Sequence, residues 1–208
     1  LPADFTGGIV DVKLKSFSES PKYSISYSVG YNPNMHLNDN FIKDHNSKTD
    51  WLGYDNGLRG NNVYFEDYDN QSNNNEEIIN NTQKLNNNFG VVNAVSDVNY
   101  SLSMTASNSY ALSKDLDDNR RIGYIAAIGY KNETTFNQGF YRGTTILEND
   151  ILQDYTSIFG DEGIQNRFLS GLFGLSYRGK KSSYTANFLY LQNGQSTAID
   201  ALYKEYIE

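Results

Sequence analysis

A strict alternation of large apolar and small polar residues over 23–31 constrains the fold of this chain most. The stretch Tyr-Ser-Ile-Ser-Tyr-Ser-Val-Gly-Tyr has an aromatic or aliphatic residue at every second position and Ser or Gly between them. Because successive side chains of a strand point to opposite faces, this pattern predicts a strand with one apolar face and one small, uncharged face. The pattern returns over 98–110. Apolar faces of this kind meet lipid or a core, so a membrane β-barrel is one interpretation.

Apolar runs in the sequence are short. The longest nearly apolar run, residues 122–130, falls well below the roughly 18 residues that a membrane-spanning helix requires. The mean hydropathy of −0.62 is still compatible with membrane strands, because their lipid-facing and lumen-facing residues alternate. We therefore expect an all-β chain without a spanning helix.

Charge and cysteine content exclude several classes of function. Seventeen Lys and Arg against 25 Asp and Glu give a net charge of −8, which repels phosphate backbones, so we expect no nucleic-acid partner. The absence of cysteine excludes disulfides, thiolate metal sites and Cys nucleophiles.

The chain opens on Leu1 without a signal peptide, and we expect it to be a piece of a longer protein.

Strand patterns bounded by turn residues recur along the chain. They predict five antiparallel strands, at about 21–35, 97–112, 120–132, 165–178 and 182–192. The predicted connections alternate between long and short, at 36–96, 113–119, 133–164 and 178–181. This alternation is typical of outer-membrane barrels, where periplasmic turns are short and extracellular loops are long.

Tyrosines mark the ends of the predicted apolar faces. Tyr100 and Tyr110 are ten residues apart, which corresponds to about 33 Å of strand and roughly 25 Å of height at a tilt of about 40°. That is the spacing of two interfacial aromatic rows. The last two predicted strands are less regular, because Phe168 and Leu189 fall on the opposite face, as they also would in a sandwich core.

The predicted loops hold the candidate ligand contacts. The first, over 37–96, is acidic and rich in Asn, and we expect order near 50–66. The candidate ligand-facing residues are Trp51, Tyr54, Arg59 and Tyr141; anchoring of the loop is an alternative role for the aromatic ones. Residues 67–73 resemble the start of a calcium loop but lack its later Gly and acidic positions. The sequence predicts no catalytic residue, metal site or cofactor.

Four segments resemble TonB-dependent outer-membrane receptors. Residues 3–15 are similar to the last plug strand of that family, with a Gly-Gly pair before an alternating Val/Ile segment. Residues 31–36, 49–57 and 187–194 resemble segments of its first barrel strands and loops. The resemblance covers nearly the whole chain. Within the family, it extends to the large SusC-like type.

This resemblance implies a domain organisation. Residues 1–17 would be the C-terminal end of a plug domain, and residues 18–208 the N-terminal part of a barrel of about 22 strands. The chain would then supply about five strands, with long extracellular loops at about 36–96 and 133–164. The implied hinge between plug and barrel consists of Asp4, Phe5, Gly7 and Gly8.

The resemblance also implies a function without covalent chemistry. A receptor of this family sits in the outer membrane of a Gram-negative bacterium and captures its ligand at the extracellular loops and plug. TonB, engaged through an upstream segment, then moves the plug with energy from the proton-motive force. The implied partners are TonB, outer-membrane lipid, a small-molecule, glycan or peptide ligand and, in some members, a surface lipoprotein lid.

Two other classes fit parts of the sequence. A soluble or surface-anchored all-β binding module, similar to lectins or adhesins, would explain the alternation but not the paired tyrosines. A β-sandwich hydrolase would need paired carboxylates on strand faces, whereas the acidic residues here cluster in predicted loops and turns. Transport is therefore the prediction from sequence, and ligand binding by a surface module is its alternative.

Overall fold

The computed structural model describes residues 17–45, 47–58, 60, 79, 82–86, 90–113, 119–148 and 151–205, with the side chains of 148 and 151–154 excepted. The plug-like segment 3–15, the candidate hinge residues Asp4, Phe5, Gly7 and Gly8, and Arg59 lie outside the described residues. The calcium-loop-like segment 67–73 does so as well.

The described chain forms two antiparallel sheets. Its strands are β1 (Lys22–Gly30), β2 (Phe41–Lys43), β3 (Val92–Ala94), β4 (Asn99–Ala111), β5 (Arg121–Glu148), β6 (Ile151–Arg178) and β7 (Ser183–Glu205). The larger sheet has the order β1-β4-β5-β6-β7, and β2 pairs with β3 in the smaller one. The all-β, antiparallel prediction is confirmed. Among the described residues, we found no helix with the length and apolar character that crossing a membrane requires.

The two short connections are confirmed. The backbone N–H of Leu112 donates to the carbonyl of Arg120 over 3.0 Å, which closes the connection between β4 and β5. The N–H of Gly179 donates to the carbonyl of Ser182 over 2.7 Å and closes the turn between β6 and β7. β4 with β5 and β6 with β7 are therefore hairpin neighbours in the sheet, as the sequence predicted.

The prediction of a long loop over 133–164 is wrong. β5 continues to Glu148 and β6 begins at Ile151, so these residues form the two arms of a long hairpin. Polar cross-strand contacts hold the arms together, with 2.5 Å between the hydroxyls of Thr144 and Thr156. Pairing of this kind needs no apolar alternation, so the pattern that located the other strands did not extend here. β7 likewise continues beyond the predicted end at 192.

The chain divides into two compact units whose boundaries fall within the long strands. The first unit comprises Leu1–Ile25, Met104–Ile128 and Gly171–Leu189. The second unit comprises Ser26–Ser103, Gly129–Ser170 and Tyr190–Glu208. The hydrophobic core of the second unit consists of Phe41, Ile42, Phe136 and Ala198.

Candidate functional site

A row of tyrosines lies along one end of the strands in the first unit. The two short connections lie at one end of the larger sheet. At this end, each of its five strands carries a tyrosine within three residues of the strand terminus. The row consists of Tyr23, Tyr110, Tyr124, Tyr177 and Tyr184. The rings of Tyr177 and Tyr184 stack with 6.3 Å between centroids. Since a phenol is apolar at one end and polar at the other, such a row suits a boundary between two environments.

The opposite face of the first unit carries small residues and receives the start of the described chain. Phe17 is buried there, in the space that a Cβ at Gly123 would fill. The next residue, Ser18, donates its N–H to the Ser107 hydroxyl over 2.9 Å. Arg178 covers the Phe17 ring at 5.4 Å. Phe17 and Ser18 are therefore fixed to the small-residue face and not to the face of the tyrosine row.

The second unit repeats this division into two faces. The apolar face of β1 exposes Tyr27 and Val29. On the other face, the hydroxyls of Ser28 and Ser101 are hydrogen-bonded at 2.8 Å. The rings of Tyr100 and Tyr130 lie 6.0 Å apart on the apolar side of β4 and β5.

The two-stranded sheet of β2 and β3 packs on the continuation of β5. Phe41, which is fully buried, contacts the Phe136 ring edge to face at 5.7 Å. His36 Nε2 lies 3.2 Å from the carbonyl oxygen of Thr134. A Cβ at Gly163 on β6 would collide with the carbonyl of Ile42. β2 is thus held by an aromatic contact and a close approach of backbones, and the segment before it by a hydrogen bond.

A short turn after β2 is attached to the sheet at three strands. The 3-10 turn Asp50–Leu52 ends at Gly53, whose φ of 80° favours glycine. The Tyr130 hydroxyl on β5 donates to the carbonyl of Trp51 over 2.7 Å. On β7, the Gln192 amide donates to the carbonyl of Gly53 over 2.7 Å. A Cβ on Gly53 would approach the Arg167 carbonyl of β6 to 3.4 Å. We call residues 47–55 the docked turn.

An open groove of about 770 Å³ lies between the segment before β2 and residues 136–140 of β5. This volume is within the range of small-molecule sites. Amide side chains and apolar residues line the groove, namely Pro33, Asn34, Met35, Asn38, Phe136, Asn137, Gln138 and Phe140. None of these eight residues is charged. The groove is therefore suited to an uncharged ligand with hydrogen-bonding groups and an apolar part.

A buried carboxylate supports one wall of the groove. Glu162 on β6 is 5% exposed and accepts hydrogen bonds from Arg142 at 2.8 and 2.9 Å. The Asn137 amide, which lines the groove, donates to the same carboxylate over 3.0 Å. The Arg142 guanidinium in turn lies 4.8 Å from the centre of the Phe140 ring. Two groove residues are thus positioned by one charge cluster.

A smaller cavity of about 110 Å³ lies beside the docked turn. Asp50, Tyr54, Asp55 and Arg167 contribute to its lining. This volume is below the usual range for sites that bind drug-sized ligands, and it is large enough for a few water molecules. Among the described residues, no group of three or more His, Asp or Glu is arranged to hold a metal ion.

No family model, curated protein or solved structure matched this chain.

The predicted contact residues occupy different surroundings. Trp51 belongs to the docked turn, where its indole lies 6.4 Å from the Tyr130 ring and remains 58% exposed. Tyr54 lines the smaller cavity. Tyr141 is exposed on β5, where it follows the groove residue Phe140. Trp51 and Tyr54 share one segment, whereas Tyr141 belongs to a strand and not to the predicted loop.

The groove itself was not predicted from the sequence. Asn137 and Gln138 fall within residues that were assigned to a loop, and Asn34 was noted only as part of a family-like segment. The available signal was a cluster of amides at 137–138 between two phenylalanines, Phe136 and Phe140. Without knowledge of the extended β5, nothing indicated that this cluster faces Asn34.

Proposed function

We propose that this chain forms part of the wall of a TonB-dependent transporter in the outer membrane of a Gram-negative bacterium. The tyrosine row is the observation that carries the proposal. It lies at one end of five antiparallel strands, as interfacial aromatic residues do in membrane barrels. Exposed apolar side chains such as Tyr23 and Ile25 continue from it along the same face of β1.

The position of Phe17 supports the proposed domain organisation. In a plugged barrel the chain passes from the plug in the lumen to the first wall strand, so it reaches the wall from the lumen side. Phe17 and Ser18 contact the small-residue face through Gly123 and Ser107, which is the face that would line the lumen. Residues 1–17 would thus end the plug, and Asp4, Phe5, Gly7 and Gly8 would form its hinge.

In the proposed mechanism a ligand binds at the extracellular side and is released inward when TonB moves the plug. The groove beside β5 supports the binding step, because it combines neutral amides with apolar surface. The proton-motive force supplies the energy, and no bond of the ligand is made or broken. A surface lipoprotein that closes over the ligand would be an additional partner.

Fractionation and uptake test the proposal on the full-length protein. We expect it in the outer-membrane fraction, extracted only by detergent, with β structure by circular dichroism. Uptake of its ligand should stop when TonB is deleted or a protonophore is added, while ligand binding to cells persists. Recovery of the protein from the soluble fraction would contradict the proposal.

A surface-anchored or soluble binding module is the alternative function. The core formed by Phe41, Ile42, Phe136 and Ala198 favours it, since this part of the second unit is covered by its own chain and not by lipid. A monomeric protein that unfolds cooperatively in buffer without detergent would support this alternative.

A further inference from the structure

We infer that the docked turn anchors the wall in the lipid headgroup layer, with the Trp51 indole as the anchoring group. This inference rests on the proposed function, because it requires the apolar face of the sheet to meet lipid. It assigns Trp51 a role in the membrane instead of the ligand contact that its position in a loop suggested.

Three aromatic rings of the second unit form a continuous cluster. The indole of Trp51 lies 6.4 Å from the ring of Tyr130, which lies 6.0 Å from that of Tyr100. Tyr100 and Leu102 are two residues apart on β4 and therefore lie on the same, apolar face. Leu102 is exposed there. Trp51 therefore extends the apolar face of the sheet and is separate from the small-residue face.

The polarity of β5 changes at the position of this cluster. Up to Ile128 and Tyr130, every second residue on this side is apolar or aromatic, whereas the next two, Asn132 and Thr134, are polar. Both polar residues are buried, and the carbonyl oxygen of Thr134 lies 3.2 Å from His36 Nε2 in the segment before β2. The lipid-facing surface of β5 would thus end at Tyr130, and Trp51 lies at this end. Indole and phenol groups favour such boundaries because each combines an apolar ring with a polar atom.

The docked turn holds the Trp51 backbone while its side chain stays accessible. The Tyr130 hydroxyl and Gln192 amide bind the carbonyls of Trp51 and Gly53, yet the indole is 58% exposed. If Trp51 were present only to fix the turn, its ring would be expected to be buried. A fixed backbone with an exposed indole is instead the arrangement that an interfacial anchor requires.

Lipid-borne quenchers of tryptophan fluorescence test this inference. The full-length protein is reconstituted in phosphatidylcholine vesicles that carry bromine at defined depths in the acyl chain. The emission of Trp51, the single tryptophan of this chain, is obtained as the difference between the parent and Trp51→Phe. We expect a larger loss of this emission with bromines near the headgroup than with bromines near the chain end, and little loss with aqueous iodide. Strong quenching by iodide without quenching by bromolipids would overturn the inference.

Two reporters separate this outcome from a failure of the proposed function. Both reporters are made in the Trp51→Phe background. Leu102→Trp reports the apolar face, and Tyr141→Trp reports the part of β5 that follows Tyr130. If Leu102→Trp is quenched by bromolipids and Trp51 is not, only the anchoring role fails. If neither is quenched, the apolar face does not meet lipid and the proposed transporter fails as well. Quenching of Tyr141→Trp by iodide alone is the expected control, and its quenching by bromolipids would contradict a boundary at Tyr130.

Discussion

The backbones of Gly53 and Gly194 pack directly against each other. A Cβ at position 194 would lie 2.5 Å from the Cα of Gly53 and 2.7 Å from its carbonyl oxygen. Gly53 itself has a φ of 80°, a backbone conformation that residues with a Cβ rarely adopt. This contact joins two segments that are more than a hundred residues apart, and it fixes the docked turn on β7.

Replacing Gly194 with Ala should release the docked turn. The added methyl group meets backbone atoms, which cannot rotate away, so we expect a cost of about 1–3 kcal/mol. Limited trypsin digestion measures the release, because Lys48 is an exposed cleavage site within this segment; cleavage there should become faster. Gly90→Ala is the matched control, since a Cβ at Gly90 meets no atom within 4 Å. Equal cleavage rates in the two variants would contradict the packing role of Gly194.

Phe41→Ala should detach the two-stranded sheet of β2 and β3 from β5. Phe41 is fully buried against Phe136, and removal of a buried phenylalanine side chain costs about 3–5 kcal/mol. Hydrogen exchange of the amides in β2 and β3 measures this change and should accelerate. The exposed Phe188 provides the control, because Phe188→Ala leaves no internal cavity. Unchanged protection of β2 and β3 in Phe41→Ala would show that other contacts hold this small sheet.

The sequence predicted those parts of the fold that depend on alternation. β1, β4 and the tight turns were predicted because Ser or Gly alternates with apolar residues and polar clusters interrupt the pattern. The arms of the β5–β6 hairpin were missed because contacts such as Thr144 with Thr156 stabilise strands without a periodic apolar face. The Gly53–Gly194 contact was also beyond prediction, since two glycines far apart in sequence show no sign that they meet.

Stability should depend on pH through Glu162. Its pKa is lowered from the ordinary value of 4.5 by the Asn137 hydrogen bond first and by Arg142, while burial opposes this shift. The unfolded chain therefore binds the proton at a higher pH than the folded chain does. The stabilising contribution is fully present above the unfolded pKa and is lost as the pH falls through the lowered folded pKa.

Glu162→Gln tests this dependence. We expect the variant to be less stable than the parent at about pH 7, with a difference that shrinks as the pH falls through the lowered folded pKa of Glu162. Urea unfolding in detergent at several pH values measures it. Asn137→Ala should lose only part of the pH-dependent stability that Glu162 provides, because Arg142 still binds the carboxylate. A difference between parent and Glu162→Gln that stays constant with pH would contradict the lowered pKa.

Ligand binding in the groove should depend on its exposed amides. Gln138 is exposed and lines the groove with Asn34, so replacing both with Ala should leave the packing of Phe136 intact. Loss of one hydrogen bond to a ligand costs about 0.5–1.5 kcal/mol, and the double variant should bind roughly 5- to 100-fold more weakly. Binding of neutral oligosaccharides and uncharged peptides to the full-length protein can be measured by calorimetry. The paired control is Asn93→Ala, an exposed amide on β3 that is not part of the groove lining. If a bound ligand is found and the double variant binds it as the parent does, the ligand site lies elsewhere on the protein.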